Sequence, residues 1–190
     1  MEIKLTHSLI RPWRRGDEAS LVRHANNRNV WRNLRDVFPH PYTLQDAEEW
    51  ITRASTAAPI VNFAIVIDGA AAGGIGLIPR GDVHRHTVGL GYWLGEEYWG
   101  RGIMTEAVRA ITDYAFQNDE VHRLYACVYA WNPASARVLE KVGYILEGRM
   151  RQHATKDGEK VDELIYGLLR EEWHQRTATF MSREKAARAT

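Results

Sequence analysis

Several features that mark specialised protein classes are missing from this 190-residue sequence. Cysteine occurs once, at Cys127, so an intrachain disulfide cannot form and a reducing compartment is expected. The 25 Lys and Arg residues are nearly matched by 24 Asp and Glu, which removes the positive surplus typical of nucleic-acid-binding proteins. No window approaches the roughly 20 apolar residues of a membrane span, and no signal peptide is evident. We therefore expect a cytoplasmic protein with neither a nucleic-acid nor a membrane partner.

The composition that remains is that of an ordinary globular protein, with 45% hydrophobic and 26% charged residues. The length suits one domain with its own core. Cys127 lies in the run from Val121 to Tyr129, which is apolar on both faces like a central strand, and a core position is expected for it. Residues 1–176 are expected to form the domain, and residues 177–190 a polar tail that is helical or frayed.

Hydrophobic periodicity predicts both helices and strands. Thr43, followed three residues later by Asp46, is typical of a helix start. Asp-Gly pairs at 68–69 and 157–158 stand between apolar runs and predict hairpin turns. The order of elements predicts a mixed α/β (α+β) domain on one mostly antiparallel, twisted sheet of about six or seven strands with flanking helices.

The stretch EEYWGRGIMTEA, residues 96–107, joins a predicted strand to a predicted helix. A helix start has unpaired backbone N–H groups and the positive end of the helix dipole, so it binds anions without any particular side chain. Gly100 and Gly102 let the chain wrap closely around such a ligand, while Arg101 adds charge. A P-loop is excluded because Gly-Lys-Ser and Gly-Lys-Thr are absent, and a dinucleotide fingerprint fails because Thr105 replaces its third glycine.

Two segments, GYWLGEEYWGRGIMTEA and NPASARVLEKVGY, together resemble the Gcn5-related N-acetyltransferase (GNAT) superfamily, closest to its RimJ/RimL-type branch. The resemblance covers nearly the whole chain. It implies a splayed cofactor-binding strand, acetyl-CoA as co-substrate, no metal, and direct acetyl transfer to a primary amine. The amine would belong to a protein N-terminus or a small molecule, and a homodimer is left open. The alternative is a coenzyme A-binding sensor or structural subunit without turnover.

The resemblance also assigns cofactor-binding residues. The pantetheine arm would pair with the backbone of Trp93, Leu94 and Gly95. Backbone N–H groups would hold the pyrophosphate at Gly100, Arg101, Gly102, Ile103, Met104 and Thr105. Asn132 would contact the arm, and Ser135, on the same helix face, would protonate the departing thiolate. Many relatives use a tyrosine at the position of Leu139 for that step, and Trp99 and Met104 also depart from the family pattern.

The group that deprotonates the attacking amine is left open. Glu97, His153, Asp162 and a water chain are the candidates. In RimL-type enzymes a glutamate of the last hairpin has this role, but the matching position here is Ala154. The base therefore does not transfer from the resemblance.

The amine pocket is expected in an aromatic segment bounded by prolines. Trp31, Leu34 and Phe38 would line it, although plain core packing explains them equally well. Arg32 and Arg35 would favour an acidic acceptor if they face this pocket.

Overall fold

The computed structural model describes residues 1–176 and shows one eight-stranded sheet with helices on both faces. The strands are β1 (Ile3–Lys4), β2 (Leu9–Pro12), β3 (Asn62–Ile67), β4 (Ala70–Pro79), β5 (Thr87–Leu94), β6 (Arg123–Tyr129), β7 (Ile145–Lys156) and β8 (Glu159–Leu169). The helices are α1 (Glu18–Ala25), α2 (Arg28–Trp31), α3 (Leu44–Thr56), α4 (Ile103–Phe116) and α5 (Pro133–Val142), and a further helical segment covers residues 170–176 at the end of the described part. The sheet order is β1-β2-β3-β4-β5-β6-β8-β7, and only β5 and β6 pair in parallel.

The predicted sheet is confirmed with eight strands, more than the six or seven expected. The difference lies at the N-terminus, where the amide of Leu5 donates to the carbonyl of Ser8 at 2.8 Å and closes a turn. This turn produces the short pair β1 and β2 in place of one longer strand.

Alternating side chains of the central strands feed two separate cores. In β3, Phe63 and Ile65 pack toward α4 and α5, whereas Ala64 and Val66 pack toward α1 and α3. Successive side chains of a strand point to opposite faces, so a run that is apolar throughout is buried on both sides. The middle of the sheet is therefore covered by helices from both directions.

The helix start predicted at Thr43 is confirmed, and α5 is bounded by local signals of the same kind. The amide of Asp46 donates to the Thr43 hydroxyl at 3.2 Å, and the Thr43 amide donates back to the Asp46 carboxylate at 2.8 Å, which completes the capping box. Asn132 caps α5, and Gly143 ends it with a left-handed φ of 113°. These ends depend on neighbouring residues alone, which is why the sequence predicts them.

Helix α1 begins beside a buried ion pair. Asp17 precedes the helix, but its carboxylate makes no cap hydrogen bond and instead accepts two from Arg11, each at 2.7 Å. The two side chains are only 3% and 7% exposed. Since breaking a buried pair leaves an uncompensated charge, this contact fixes α1 against β2.

The β7–β8 hairpin folds over α2 and the segment that follows it. The Lys156 ammonium lies 2.6 Å from the Asp36 carboxylate and 3.5 Å from the ring centroid of Trp31, and the Lys156 side chain is 1% exposed. Arg28 of α2 also pairs with Asp157 at the hairpin turn. The hairpin tip thereby holds the 28–38 segment in place.

The sequence also led us to expect no membrane-spanning helix and a polar tail at residues 177–190. Among residues 1–176, no helix has both the length and the apolar character needed to cross a membrane. The polar tail expected at 177–190 lies outside the described residues. The domain boundary at 176 stays a prediction.

Candidate functional site

A gap opens in the middle of the sheet where β5 and β6 separate. The two strands pair at Thr87 with Arg123, Val88 with Leu124, and Gly89 with Tyr125. Beyond these pairs, β5 continues along β4 and β6 continues along β8. Each strand therefore keeps one partner and presents a free backbone edge to the gap, where a ligand can pair with it.

The end of β5 shows which backbone groups face the gap. The Gly95 amide donates to the Ala72 carbonyl of β4 at 2.7 Å, so it is already occupied. Backbone groups in an antiparallel pair alternate between the two sides of a strand, so the Leu94 amide faces the gap instead. The Leu94 carbonyl accepts a hydrogen bond from the Trp99 indole at 2.8 Å. Trp99, a departure from the family pattern, thus orients the end of this strand.

The glycine loop has the backbone geometry of an anion cradle. Gly100 and Gly102 adopt left-handed φ angles of 75° and 80°, and nothing lies within 4 Å of the place where either would carry a Cβ. Gly102 immediately precedes α4, and its carbonyl accepts a hydrogen bond from the Glu106 amide at 3.1 Å. The N–H groups of the first turn, from Ile103 to Thr105, have no such helical partner and point out of the helix start.

A cavity of about 1330 Å³ runs through the gap from one face of the sheet to the other. Its wall toward α4 and α5, here called the α4 side, contains Gly100, Arg101, Gly102, Ile103, Met104, Thr105, Asn132, Ser135, Arg137 and Lys141. Its opposite wall, here called the α3 side, contains Leu34, Arg35, Phe38, Trp50, Arg53, Arg80, Tyr125, Cys127, Tyr129, His153 and Glu163. One cavity therefore joins an anion-binding helix start to a mixed aromatic and charged chamber.

The Ser135 hydroxyl forms a hydrogen bond with Tyr92, a contact that the sequence did not predict. The Ser135 Oγ lies 2.9 Å from the Tyr92 hydroxyl, and either group can donate. Tyr92 is also within donating distance, 3.2 Å, of the Ser135 carbonyl. Burial raises the pKa of Tyr92 well above its usual value, so the phenol stays protonated. Asn132 uses its side-chain oxygen to accept the Ser135 amide at 3.2 Å, which leaves its NH₂ group for a ligand.

Basic side chains on the α4 side complement the helix start. Arg101 belongs to the glycine loop, while Arg137 and Lys141 are exposed on α5, one turn apart. None of the three has a carboxylate partner within the described part of the chain. The sequence contains a signal for the α5 pair, namely two basic residues four apart after the Asn-Pro cap.

Glu97 is placed away from the cavity. Its carboxylate lies 3.3 Å from Arg23 and 3.3 Å from His24, both on α1. Glu96, its neighbour, accepts hydrogen bonds from Asn27 at 2.7 Å and Asn29 at 2.9 Å. The two glutamates thus attach the turn before the glycine loop to α1 and the start of α2. Glu97 does not line the cavity, and its role as a base stays a prediction.

The other candidate bases lie on the last hairpin. Asp162 accepts hydrogen bonds from the Gln152 amide at 2.7 Å and Arg149 at 2.6 Å; these hold its pKa below the usual range, and it does not line the cavity. His153 does line it, with Nε2 3.7 Å from the Glu163 carboxylate. Glu163 was missed by sequence reasoning, because only the strand register shows which of two adjacent carboxylates faces the cavity.

Cys127 is not a core residue, contrary to the prediction. In β6 the core is supplied by Leu124, Ala126 and Val128, while Cys127 is exposed on the opposite face, at the α3 side of the cavity. Partial burial and the nearby Glu163 raise the pKa of its thiol. A thiol held protonated is a weak nucleophile, so its position in the cavity does not make it an acyl carrier.

Only some of the residues expected to line the amine pocket do line the cavity. Leu34 and Phe38 line the α3 side, whereas Trp31 does not and stacks on His40, with ring centroids 5.5 Å apart. Arg35 lines the cavity. Arg32 does not line it, and its guanidinium lies 5.2 Å from the ring centroid of Trp131. Helix α2 has only four residues, which is too few for hydrophobic periodicity to show which side chains face the cavity.

Known proteins share both the sequence pattern and the fold. This chain is 34% identical to the candidate ribosomal N-acetyltransferase YdaF of Bacillus subtilis (strain 168). The match extends over 113 residues, which are 60% of this chain and 61% of the relative. It is also 30% identical to the [Ribosomal protein uS5]-alanine N-acetyltransferase of Escherichia coli (strain K12). That match extends over 88 residues, which are 46% of this chain and 45% of the relative. The chain thus spans about half the length of the curated relatives it matches.

A solved structure and a family pattern agree with these relatives. A GNAT-family acetyltransferase from Bacillus anthracis superposes with a TM-score of 0.78 at 25% identity, covering 90% of this chain and 100% of that one. Residues 7–145 match the family described as "Acetyltransferase (GNAT) domain". This match confirms the resemblance seen in the sequence, and the chain belongs to the GNAT acetyltransferase family.

Proposed function

We propose that this protein is an acetyl-CoA-dependent N-acetyltransferase that moves an acetyl group to a primary amine by direct attack. The observation that carries the proposal is the single cavity in which an anion-binding helix start, an open strand edge, Ser135 and Glu163 meet. The amine belongs to a protein N-terminus, as in the relative named for uS5-alanine, or to a small molecule.

The residues present fit coenzyme A. The open φ > 0 positions at Gly100 and Gly102 leave room for a pyrophosphate against the amides of the first α4 turn. Arg137 and Lys141 complement a further phosphate, and the Asn132 NH₂ group and the free β5 edge suit the amide-bearing pantetheine arm. When bound, acetyl-CoA supplies an activated acetyl thioester.

Two donors on this chain stabilise the charge that develops during transfer. The Leu94 amide, directed into the gap, donates to the thioester oxygen as it gains negative charge. Ser135 donates to the sulfur as the C–S bond breaks, while the N–C bond forms. An acceptor that arrives as an ammonium loses two protons, one before attack and one during it, and both leave to solvent through Glu163 and His153. The thiolate takes one proton from Ser135, which regains it from solvent, so the products are an amide, free coenzyme A and one proton in solvent.

Glu163 accepts the proton from the attacking amine. Its side chain is 17% exposed and lies opposite Tyr129 in the register, beside the gap. His153, 3.7 Å away and 55% exposed, provides a route from this carboxylate to solvent. The carboxylate also attracts the ammonium form of the acceptor before its proton is removed.

The test is release of free thiol from acetyl-CoA in the presence of amines and peptides with free N-termini, with mass spectrometry to identify the acetylated product. Glu163→Gln should lower kcat/KM by about 100-fold, the scale of general-base catalysis. Glu159→Gln, at the exposed start of the same strand, is the matched control and should change it less than two-fold. Glu97→Gln tests the other carboxylate that the sequence suggests as a base.

The alternative, a coenzyme A-binding sensor, predicts a different pattern. Acetyl-CoA would bind, as measured by calorimetry, yet no acceptor in the panel would release thiol. Ser135→Ala would then alter nothing that can be measured. Thiol release that depends on Ser135 would exclude the sensor, because cofactor binding through backbone amides does not require this hydroxyl.

A further inference from the structure

Glycines of β4 and β5 form part of the cavity floor on the α3 side. Gly74, Gly76, Gly89 and Gly91 all line the cavity, on the sheet face opposite the core that packs against α4 and α5. The register pairs Gly76 directly with Gly91, so two adjacent strands lack side chains at the same level. Backbone rather than side chains therefore forms the floor at this point.

Neighbouring side chains cover three of these glycines and leave Gly91 open. Each covering group lies against the place where a Cβ would stand: the Trp93 indole over Gly74, the Asn62 amide over Gly76 and the Tyr125 ring over Gly89. At Gly91 that place has one neighbouring atom within 4 Å among residues 1–176, the Ile78 Cδ1 at 3.9 Å. The floor of the cavity thus has an unfilled opening at Gly91.

Two aromatic side chains bound this opening along β5. Trp93 follows Gly91 by two residues, and the Tyr125 ring covers Gly89, two residues before it. At a rise of about 3.3 Å per residue, positions 89 and 93 are about 13 Å apart. A contact distance of about 3.5 Å at each end leaves about 6 Å, which matches one six-membered ring. Arg80 donates to the Tyr125 hydroxyl at 3.1 Å and holds that side of the opening.

The opening lies close to the carboxylate proposed as the base. The last parallel pair of β5 and β6, continued by two residues, puts Gly91 level with Cys127. Glu163 pairs with Tyr129, which is two residues further along β6. An amine at Glu163 and a group on Gly91 are therefore separated by about 7 Å along the strands, a distance that about two to four carbons span.

We propose that the acceptor is a small primary amine carrying one flat ring, and that this ring rests on the open backbone of Gly91. This inference rests on the proposed acetyltransferase function and names its substrate class. Binding removes the apolar surface of the ring from water. The ring edges meet Trp93 and Tyr125, and aromatic pairs interact more favourably than their buried area alone predicts. Shape and apolar surface, rather than the net charge of the wall, select this acceptor.

The probes are phenethylamine, cyclohexylethylamine and butylamine, which carry the same charge and differ in the group that reaches Gly91. In the thiol-release assay, phenethylamine should exceed butylamine by about ten-fold in kcat/KM, because it buries more apolar surface. It should exceed cyclohexylethylamine by about three-fold. The puckered ring has similar bulk, but it does not lie flat on the backbone or pair as an aromatic ring with Trp93 and Tyr125.

Gly91→Ala connects this preference to the opening, because it places one methyl group on the floor. Gly91 has no left-handed φ, and the added Cβ would make only an ordinary contact with Ile78, so the strand should fold as before. The ratio of kcat/KM for phenethylamine to that for butylamine should fall by about five-fold, since the methyl group lifts the ring from the backbone. Gly148→Ala, at an open position outside the cavity, is the matched control and should keep the ratio. Thermal unfolding of both variants checks that the fold is retained.

Each contrary result has a distinct meaning. Equal or better use of cyclohexylethylamine or butylamine would overturn the flat-ring acceptor while the acetyltransferase stands, as would thiol release with peptides and with none of the three amines. An unchanged ratio in folded Gly91→Ala would overturn the placement of the ring. Binding of acetyl-CoA with no thiol release for any amine or peptide would overturn the proposed function and this inference together.

Discussion

Replacing Tyr92 with phenylalanine tests how Ser135 acts. The Tyr92 hydroxyl lies 2.9 Å from the Ser135 Oγ, and burial keeps its pKa above the ordinary value of 10. A phenol with a raised pKa keeps its proton at neutral pH and is available as a hydrogen-bond donor. Tyr92 therefore acts by donating a hydrogen bond to the Ser135 oxygen, which directs the Ser135 proton toward the sulfur.

The expected magnitude follows from one neutral hydrogen bond. Such a bond contributes about 1 kcal/mol, so Tyr92→Phe should lower kcat about five-fold with little change in the KM for acetyl-CoA. Ser135→Ala removes a donor to a developing charge, and its loss of about 1.5–3 kcal/mol corresponds to roughly 10- to 150-fold in kcat. Since Tyr92 acts through Ser135, the double variant should match Ser135→Ala alone.

The assay is steady-state thiol release for the two single variants and the double variant. Tyr144→Phe is the matched control, because that buried hydroxyl also makes one hydrogen bond, 3.0 Å to Thr112, but does not line the cavity. It should lower stability without a change in kcat. If Tyr92→Phe still lowers kcat five-fold in the Ser135→Ala background, the two hydroxyls act independently and the reasoning fails.

Three further predictions concern the loop, the thiol and pH. Gly102→Ala forces a side chain into φ 80°, a strain of about 1–2 kcal/mol, and should weaken coenzyme A binding in calorimetry, whereas Gly148→Ala, with open space and no left-handed φ, should not. Cys127 should react slowly with thiol reagents at neutral pH and faster as pH rises; rapid labelling at neutral pH would contradict its raised pKa. Burial lowers the pKa of His24 from 6.5, so its stabilising contribution is present above that pH and is lost below it; the thermal midpoint should fall less on acidification in His24→Gln than in the unmodified protein.

Features that depend on adjacent residues were determined by the sequence alone. The capping box at Thr43, the α5 start at Asn132 and the left-handed glycines at 100 and 102 all follow from local backbone and hydrogen-bonding rules. The glycine loop uses backbone amides, so its anion-binding character could be predicted without knowing any distant contact. Family membership followed from the same local segments and was confirmed.

Features that depend on which distant residues meet were decided only by the tertiary structure. Tyr92 and Ser135 are separated by 43 positions, and no pattern within either element indicates the contact. Glu163 faces the cavity and Asp162 does not, because adjacent residues of a strand point to opposite faces and only the pairing of Glu163 with Tyr129 shows which face meets the cavity. Glu97 was a reasonable candidate by proximity to the glycine loop, but its carboxylate contacts Arg23 and His24 of α1, and it does not line the cavity. The proposed donor site consists largely of backbone groups and could be expected from sequence, as could Ser135. Tyr92 and Glu163 lie on other elements, and only folding brings them to the same cavity.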